Sequence, residues 1–169
     1  KIQGFGGAFT DSAASVFEKL PPKEREELLE AYFDTENGNA YSFCRVHIAS
    51  CDFSPYEYTH IEEGDTELKS FSIAEDKKRV IPMIKAAQKY GKITLFASPW
   101  SPPAFMKDTG SRFMGGKLMP EFYGAWTEYV ARFIEEYRKL GIDIDAVTIQ
   151  NEAEATMTWE SCLYTPQDE

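Results

Sequence analysis

Apolar residues recur along this 169-residue chain in two alternating patterns: short unbroken runs and longer stretches with helical spacing. Unbroken runs predict buried strands, whereas an apolar residue at every third or fourth position predicts an amphipathic helix. The runs predict four strands, at residues 2–9, 42–50, 92–98 and 145–151. Helical stretches separate them, and this order predicts one parallel sheet with right-handed crossovers.

Proline, glycine and capping residues mark the expected helix boundaries. The first crossover starts at about residue 11 and is broken by the proline pair at 21–22. In the second, Ser72 and Glu75 form a capping-box pattern. Pro82 is expected to kink this helix or to mark where regular pairing begins, and Gly91 is a plausible stop.

The third crossover carries a stripe of aromatic residues. Pro120 suits the first turn of a helix, and the stripe that follows predicts a helix ending near Gly141. Trp126 lies within the stripe, so we expect it to pack in the core.

Two α/β folds satisfy this order of elements, an open doubly wound sheet and a (β/α)8 TIM barrel. The first turn contains Gly4-Phe-Gly-Gly7 but lacks the G-x-G-x-x-G spacing of a dinucleotide site. Barrel active sites are built at the carboxyl ends of the strands. All four predicted strands end in polar or aromatic residues, at Thr10-Asp11, Ser50-Cys51-Asp52, Ser98-Pro99-Trp100 and Asn151-Glu152. Because polar and aromatic residues recur at this one edge of the sheet, the barrel is favoured.

Four βα units make up about half of a ~250-residue barrel. An isolated half would expose two unpaired strand edges. We therefore expect the chain to supply about the first four βα units of a longer protein. Residues 1–169 show no internal boundary and are expected to be part of a single catalytic domain.

Composition and charge argue against several kinds of partner and site. The net charge of −10 argues against nucleic acid or an anionic membrane surface as a partner. No stretch approaches the ~20 apolar residues of a membrane span. Cys44, Cys51 and Cys162 are too scattered for a disulfide framework or a zinc site, so we expect small buried side chains.

Four motifs together carry a family resemblance. They are Gly4-Phe-Gly-Gly-Ala-Phe-Thr-Asp11, Arg45-Val-His-Ile-Ala-Ser-Cys-Asp-Phe-Ser54, Ala97-Ser-Pro-Trp-Ser-Pro-Pro103 and Val147-Thr-Ile-Gln-Asn-Glu152. In this order, spread over nearly the whole chain, they resemble glycoside hydrolase family 30, the family of acid β-glucosidase (glucosylceramidase). The resemblance implies a (β/α)8 barrel and retaining hydrolysis of β-glycosidic bonds, with no metal or organic cofactor. The implied partner is a β-glucoside or β-glucan substrate.

The resemblance also implies roles for individual residues. Glu152 matches the family's general acid/base, and Asn151 is expected to bond the sugar 2-hydroxyl. Asp11 matches an aspartate that accepts bonds from sugar hydroxyls, although its alternative role is to cap the first helix. Trp100 is expected to contact the sugar rather than plug the core. Trp159 follows the catalytic loop and is a candidate for an outer subsite.

Arg45 lies inside an apolar strand, where an unpaired charge is costly. We expect it to pair with a carboxylate, either Asp11 or the nucleophile, and to support the site electrostatically. His47 lies on the same strand face and receives no role. The family's nucleophile is a glutamate on a later strand, beyond residue 169. Glu154 and Glu160 are the only local alternatives, and neither matches it.

One residue departs from the family pattern. Ala153 stands where the family usually has proline, and it is expected to loosen the loop that aims Glu152. Together with the missing second carboxyl group, this keeps open a catalytically dead carbohydrate-binding barrel. Among active enzymes, a glucosylceramidase-like β-glucosidase is favoured, with endo-β-1,6-glucanase and β-xylosidase as alternatives.

Overall fold

The elements observed follow the predicted order. The computed structural model describes residues 1–168. Its strands are β1 (Ala8–Phe9), β2 (Phe43–Ile48), β3 (Thr94–Pro99) and β4 (Ala146–Val147). Its helices are α1 (Asp11–Lys19), α2 (Pro22–Phe33), α3 (Ala74–Lys78), α4 (Val80–Ala87) and α5 (Tyr123–Lys139), with short 3-10 turns at Ala104–Met106 and Pro120–Phe122.

The four strands form one parallel sheet in the order β1-β2-β3-β4. Ala8 pairs with Arg45, Arg45 with Phe96, and Phe96 with Ala146, so one row of residues crosses the sheet. An open doubly wound sheet reverses its strand order at a switch point. The sequential order seen here is that of a barrel, and it confirms the predicted parallel α/β sheet.

The two faces of the sheet differ in how deeply they are buried. Val46 and Ala97 point towards the helices and are fully buried. Residues that alternate with them, Phe43, Arg45 and Phe96, are only partly buried. The rings of Phe43 and Phe96 stack with their centroids 5.3 Å apart. The helices therefore cover one face, and the face that would line a barrel interior carries the polar site residues.

The proline pair acts as predicted. Thr10 caps α1 by accepting a bond of 3.2 Å from N of Ala13. The helix ends at Lys19, and α2 begins at Pro22, where a missing N–H costs no helical hydrogen bond. Since Thr10 performs the capping, the alternative capping role of Asp11 is not needed.

The capping box predicted at Ser72 and Glu75 is wrong. Ser72 Oγ accepts instead from N of Ala74 at 3.3 Å, and Ile73 is the N-cap residue of α3. The Glu75 carboxylate accepts hydrogen bonds from Tyr56, Lys78 and Arg79. These charged and phenolic donors offer stronger bonds than a backbone N–H, so tertiary contacts override the local pattern.

The second crossover is divided between α3 and α4, which meet at Arg79. Pro82 is the third residue of α4, within the first turn, where backbone N–H groups have no helical acceptor. The prediction that regular pairing begins near this proline is confirmed. The third crossover also follows the prediction, since α5 ends at Lys139, just before Gly141.

The outer strands are shorter than predicted. β1 and β4 each contain two residues, against the seven or eight expected. The chain nevertheless runs alongside its neighbour for longer. N of Phe43 donates to O of Phe5, and N of Thr148 donates to O of Ala97 at 2.9 Å. Each outer segment has a partner on one side only among residues 1–168, so the ladder is less regular there.

The core lies between the sheet and the helices. Trp126 and the three cysteines are buried in it or beside it, as predicted, and the cysteines are unpaired. Among residues 1–168, no helix is both long and apolar enough to cross a membrane. Within the same residues, no group of three or more His, Cys, Asp or Glu side chains is placed to hold a metal ion.

Candidate active site

Arg45 is the centre of a polar cluster at the carboxyl end of the sheet. Its Nε donates to Ser98 Oγ and its Nη2 to Asn151 Oδ1, both at 2.8 Å. The guanidinium lies 4.5 Å from the ring centroid of Trp100, a cation–π contact. Thr148 Oγ1 donates to Ser98 Oγ at 2.8 Å and closes the cluster. Side chains from β2, from β3 and from the segment after β4 are thus joined.

Of the two carboxylate partners expected for Arg45, Asp11 is ruled out, and pairing with the nucleophile stays a prediction. Among residues 1–168, Arg45 has no carboxylate oxygen within 4.0 Å, and its partners are a hydroxyl, an amide and an indole face. Burial lowers the pKa of Arg45, although the negative charge of nearby groups, Glu152 among them, opposes this shift. Its hydrogen-bond partners carry no formal charge, so the positive charge of Arg45 acts on nearby acidic groups, Glu152 among them.

Trp100 is buried beneath Arg45, with 8% of its surface exposed. Its backbone carbonyl accepts a bond of 2.7 Å from the amide of Gln150. Within the described chain its indole Nε1 has no hydrogen-bond partner, which is unusual for a buried donor. The N–H is also shielded from solvent, so it is both unpaired and covered in this structure.

Glu152 has an exposed side chain and a strained backbone. Its φ is 48°, in the left-handed region that residues other than glycine rarely adopt. N of Asn151 donates to O of Pro99, and N of Ala155 donates to O of Glu152, both at 2.9 Å. These bonds hold the turn on both sides of the carboxyl group. Strain of this kind concentrates at functional sites.

Ala153 is compatible with this backbone. A proline restricts the residue before it to extended conformations, which would disfavour the left-handed Glu152. Ala153 also packs against the core, and its carbonyl accepts from N of Tyr164 at 2.9 Å. The loop is therefore tied down at position 153 without the proline.

Asp11 lies in a second polar cluster, with none of its surface exposed. Its Oδ2 accepts from Ser54 Oγ at 2.7 Å and from Tyr58 OH at 3.0 Å, and its Oδ1 accepts from Arg79 Nε at 3.1 Å. His47 Nε2 lies 3.7 Å from Oδ2. Both oxygens of Asp11 thus face donors of the protein, and a direct contact with a sugar stays a prediction.

The sequence did not reveal Arg79, which is the ion partner of Asp11. Burial disfavours its charge, but hydrogen bonds with Tyr56 and Asp11 outweigh burial and raise its pKa. The guanidinium also lies 5.1 Å from the ring centroid of Tyr56. Arg79 and Asp11 are 68 positions apart, and no local motif connects them.

A buried chain of polar groups continues inward from Asp11. Tyr58 OH lies 3.3 Å from Asp76 Oδ1, which also lies 3.1 Å from His60 Nε2. Tyr137 OH donates to the other oxygen of Asp76 at 2.8 Å. Burial would favour a neutral Asp76, but the charge and hydrogen bond of His60 outweigh it and lower the pKa of Asp76. Tyr58 lies within hydrogen-bond distance of both Asp11 and Asp76, so it connects these buried groups to the Asp11 cluster.

The three remaining candidates follow Glu152 in the chain. Trp159 is partly buried and Glu154 is exposed. Glu160 is 5% exposed and accepts a bond of 2.5 Å from Ser50 Oγ. The structure therefore brings Arg45, Trp100 and Asn151 into direct contact beside Glu152. It places Asp11 in the neighbouring cluster and Glu160 in a third.

This arrangement places three kinds of polar group where a ligand could bind. It offers an exposed carboxyl group, an amide fixed by a guanidinium, and an indole N–H without a partner. Such groups suit a polar, ring-shaped ligand bearing hydroxyl groups. A cavity of about 290 Å³ near Ile93, Gly141 and Asp145 lies at the opposite, amino-terminal end of the strands, whereas the active sites of barrels lie at the carboxyl end.

Comparison with known proteins identifies the family. A model of the TIM-barrel domain of glycosyl hydrolase family 30 matches residues 2–166. This chain belongs to glycosyl hydrolase family 30. The family membership confirms the resemblance carried by the four sequence motifs, and it assigns the parallel sheet to a TIM barrel.

Two curated proteins are similar to this chain over most of its length. Putative glucosylceramidase 3 of Caenorhabditis elegans is 42% identical over 98% of this chain and 34% of its own length. Lysosomal acid glucosylceramidase of Mus musculus is 40% identical over 92% of this chain and 32% of its own length. The chain thus spans about a third of the length of these relatives.

A solved structure has the same fold. SrfJ from Salmonella typhimurium superposes with a TM-score of 0.96 and 38% identity, covering 100% of this chain and 38% of that one. The sequential parallel strands therefore belong to a family 30 barrel.

Proposed function

We propose that this chain carries the acid/base half of the active site of a retaining β-glycosidase, with Glu152 as the general acid/base. The observation that carries the proposal is the hydrogen bond from Arg45 to Asn151 Oδ1, next to the exposed Glu152. A guanidinium only donates, so it fixes the carbonyl side of the amide. The NH2 group of Asn151 is then left to donate to a substrate hydroxyl.

Glu152 would act twice in each turnover. In the first step its carboxyl group donates a proton to the glycosidic oxygen as the bond to the leaving group breaks. In the second its carboxylate removes a proton from water, which attacks the anomeric carbon. Exposure of the side chain is compatible with contact with both the leaving group and water.

Retaining hydrolysis needs a second carboxyl group about 5–5.5 Å from the first. Glu160 is held by Ser50 in a buried cluster, and Glu154 is exposed without a hydrogen bond to anchor it among residues 1–168. Neither is a suitable nucleophile. The proposal therefore assigns this role, as the family does, to a glutamate outside this chain.

Asn151, Trp100 and Asp11 would recognise the sugar. The Asn151 NH2 group would donate to the 2-hydroxyl, a bond that strengthens as the ring approaches an oxocarbenium ion. The unpaired indole N–H of Trp100 would donate to a neighbouring hydroxyl after a movement of the groups that now cover it. Asp11 would accept from sugar hydroxyls after exchanging one of its present donors, for which Ser54 and Tyr58 are the candidates.

A substrate of the glucosylceramidase type is proposed first, because two curated relatives at 40% and 42% identity bear that name. The deciding screen uses the complete native protein with aryl β-glucoside, aryl β-xyloside, a β-1,6-glucan and glucosylceramide. Turnover of aryl β-glucoside and glucosylceramide is expected. Turnover of the glucan alone would assign an endo-β-1,6-glucanase, and turnover of the xyloside alone a β-xylosidase. Saturable sugar binding without turnover would assign a dead carbohydrate-binding barrel.

Glu152→Gln, with Glu154→Gln as the matched control, tests the acid/base role. The amide cannot donate a proton to the leaving oxygen, so kcat on an unactivated alkyl β-glucoside should fall ~10²–10⁴-fold. The rate of the first step, in which the enzyme is glycosylated, should fall far less with an activated aryl glucoside, because a good leaving group needs little proton transfer. Glu154→Gln should leave both rates close to wild type. Equal losses on the two substrates would refute the assignment.

A further inference from the structure

The buried side chain of Tyr58 places one hydroxyl group between two carboxylates. Its oxygen lies 3.0 Å from Oδ2 of Asp11 and 3.3 Å from Oδ1 of Asp76. Burial and the two neighbouring negative charges raise the pKa of Tyr58 far above its ordinary value, so the phenol stays protonated. A phenol carries a single hydrogen, so Tyr58 can donate to only one of the two carboxylates at a time.

The Tyr58 hydroxyl is close to both carboxylates and tightly bonded to neither. Both distances exceed the ~2.5–2.7 Å that is typical of a hydroxyl bonded to a carboxylate, so a shift of roughly 0.6 Å towards Asp76 would give an ordinary bond there. The backbone of Tyr58 is anchored, because its N donates to Ser50 Oγ at 3.0 Å and its O accepts from Arg112 Nη1 at 2.7 Å. Such a shift would therefore be a movement of the side chain alone.

The other donors to Asp11 have no comparable second acceptor. Arg79 Nε donates to Oδ1, the oxygen that Tyr58 does not contact, at 3.1 Å. Ser54 Oγ donates to Oδ2 at 2.7 Å while it accepts from N of Cys51 at 3.1 Å. Within residues 1–168, the alternative acceptor for the Ser54 hydroxyl is Sγ of Cys51, a weak acceptor 3.8 Å away. Displacing Ser54 would leave a buried hydroxyl poorly paired, which is costly.

His47 also approaches Oδ2 of Asp11 but makes no hydrogen bond to it. Its Nδ1 lies 2.6 Å from O of Ala49, which can only accept, so Nδ1 carries a hydrogen and donates there. Its Nε2 lies 3.7 Å from Oδ2 and has no hydrogen-bond partner in the described chain. Oδ2 therefore accepts from two hydroxyls, and that of Tyr58 is the one with a second carboxylate within reach.

Asp76, on α3, is able to receive this hydroxyl. Burial would raise its pKa, but the charge and hydrogen bond of His60 outweigh burial and lower it, so the side chain is ionised. Its Oδ1 lies 3.1 Å from His60 Nε2, and its Oδ2 accepts from Tyr137 OH at 2.8 Å. A carboxylate offers about four acceptor positions, so these two partners leave room for a full bond from Tyr58.

We propose that Tyr58 and Asp76 are positioning residues that free Asp11 for the sugar: as a substrate hydroxyl donates to Oδ2 of Asp11, the Tyr58 hydroxyl moves its hydrogen bond to Asp76. This inference rests on the proposed function, in which Asp11 accepts from a sugar hydroxyl. No covalent bond changes in the exchange. Every buried hydroxyl keeps an acceptor, so the sugar binds without leaving an unpaired buried group behind.

Calorimetric binding of methyl 1-thio-β-glucoside, which resists hydrolysis, tests the proposal in the complete native protein. Tyr58→Phe removes the hydroxyl that the sugar must displace, so Kd should fall about threefold to tenfold. A merely structural role predicts a rise, because a lost buried hydrogen bond loosens the site. Since the 2-hydroxyl is assigned to Asn151, the gain should disappear for one of the 3-, 4- and 6-deoxy analogues, the one that lacks the hydroxyl facing Asp11.

Asp76→Asn tests the receiving side of the exchange. A neutral amide is a weaker acceptor than a carboxylate, so the exchange becomes more costly and Kd should rise about tenfold. In the Tyr58→Phe background the same substitution should change Kd little, because no hydroxyl then needs a receiver. An equal rise in both backgrounds would overturn the proposal. If Asp76→Asn does not fold, Tyr58→Phe with the deoxy analogues decides the question.

Two matched variants serve as controls. Tyr129→Phe makes the same change at a buried tyrosine whose hydroxyl accepts from N of His60 at 2.9 Å, and Kd should stay within about twofold of wild type. Ser54→Ala removes the donor expected to stay on Asp11, so it should lower Kd less than Tyr58→Phe does. A larger fall in Ser54→Ala would assign the exchange to Ser54 and overturn the proposal.

Hydrolysis of an aryl β-glucoside distinguishes failure of this inference from failure of the proposed function. Sugar binding by a wild type that does not hydrolyse would overturn the hydrolase proposal, and the Kd values of the variants would still decide the exchange. Hydrolysis by the wild type, together with an unchanged or raised Kd in Tyr58→Phe, would overturn the exchange alone. A wild type that neither binds nor hydrolyses would overturn both.

Discussion

Arg45 Nη2 donates a hydrogen bond of 2.8 Å to Oδ1 of Asn151, a residue 106 positions away in the chain. The bond crosses from β2 over β3 to the segment after β4. It selects which end of the amide faces outward beside Glu152. A single charged side chain inside the sheet thus orients the group proposed to read the 2-hydroxyl of the sugar.

Arg45→Lys should lower kcat/KM for an aryl β-glucoside about 10–100-fold. Lysine keeps the charge, but it cannot donate along both fixed directions to Ser98 and Asn151 while stacking on Trp100. Steady-state kinetics of the complete protein measure this effect. The exposed Arg138→Lys is the control, and wild-type kinetics in Arg45→Lys would show that the orientation of Asn151 is set by something else.

Glu152→Gly should raise the free energy of unfolding by about 0.5–1 kcal/mol while abolishing turnover. Glycine adopts φ near 48° without the steric cost paid by glutamate, and this gain exceeds the extra freedom of its unfolded chain. Urea denaturation measures the change. Glu154→Gly is the control, since its φ is not positive. It should be destabilised by a similar amount, and the same sign of change in both variants would contradict strain at position 152.

Arg79→Met should lower the free energy of unfolding by about 3 kcal/mol, because it leaves the Asp11 carboxylate buried without its ion partner. The arginine side chain is 11% exposed and that of Asp11 is fully buried. Urea denaturation at pH 7 provides the measurement. The matched control is Lys78→Met, which breaks an exposed pair with Glu75 and should change stability little. Equal effects in the two variants would exclude a specific role for the buried pair.

Lys107 should make stability rise with pH above neutrality. Burial lowers its pKa to about 8, below the value of an unfolded lysine. Between pH ~8 and ~10.4 the unfolded chain therefore binds more protons than the folded one, and the free energy of unfolding increases with pH.

The measurement is the difference in the free energy of unfolding between wild type and Lys107→Met, taken from urea denaturation at several pH values. The free energy of unfolding of wild type minus that of Lys107→Met should increase by up to about 1.4 kcal/mol per pH unit across the window. Lys92→Met, at an exposed position, should show no such growth. A difference for Lys107→Met that does not vary with pH would mean that the lysine titrates normally in the folded state.

Local chemistry made part of the fold predictable. The proline pair at 21–22 separates two helices because proline lacks the N–H that a helix interior needs. The inner strands β2 and β3 were found close to their predicted bounds, because strands paired on both sides are marked by unbroken apolar runs. The capping box at Ser72 failed because Glu75 has stronger partners in the tertiary structure.

The sequence by itself determined the order of strands and helices, the parallel sheet, the family, and the sheet edge at which Glu152, Asn151 and Trp100 are placed. These follow from periodicity and from motifs within a few residues of each other. Only the tertiary structure decided the partners of the buried charges: Arg45 with Asn151, Arg79 with Asp11, and Arg112 with Ser50 and Glu160. A buried charge must be compensated, but any suitable group that folding brings within hydrogen-bond reach can do so, and the sequence alone does not specify that choice.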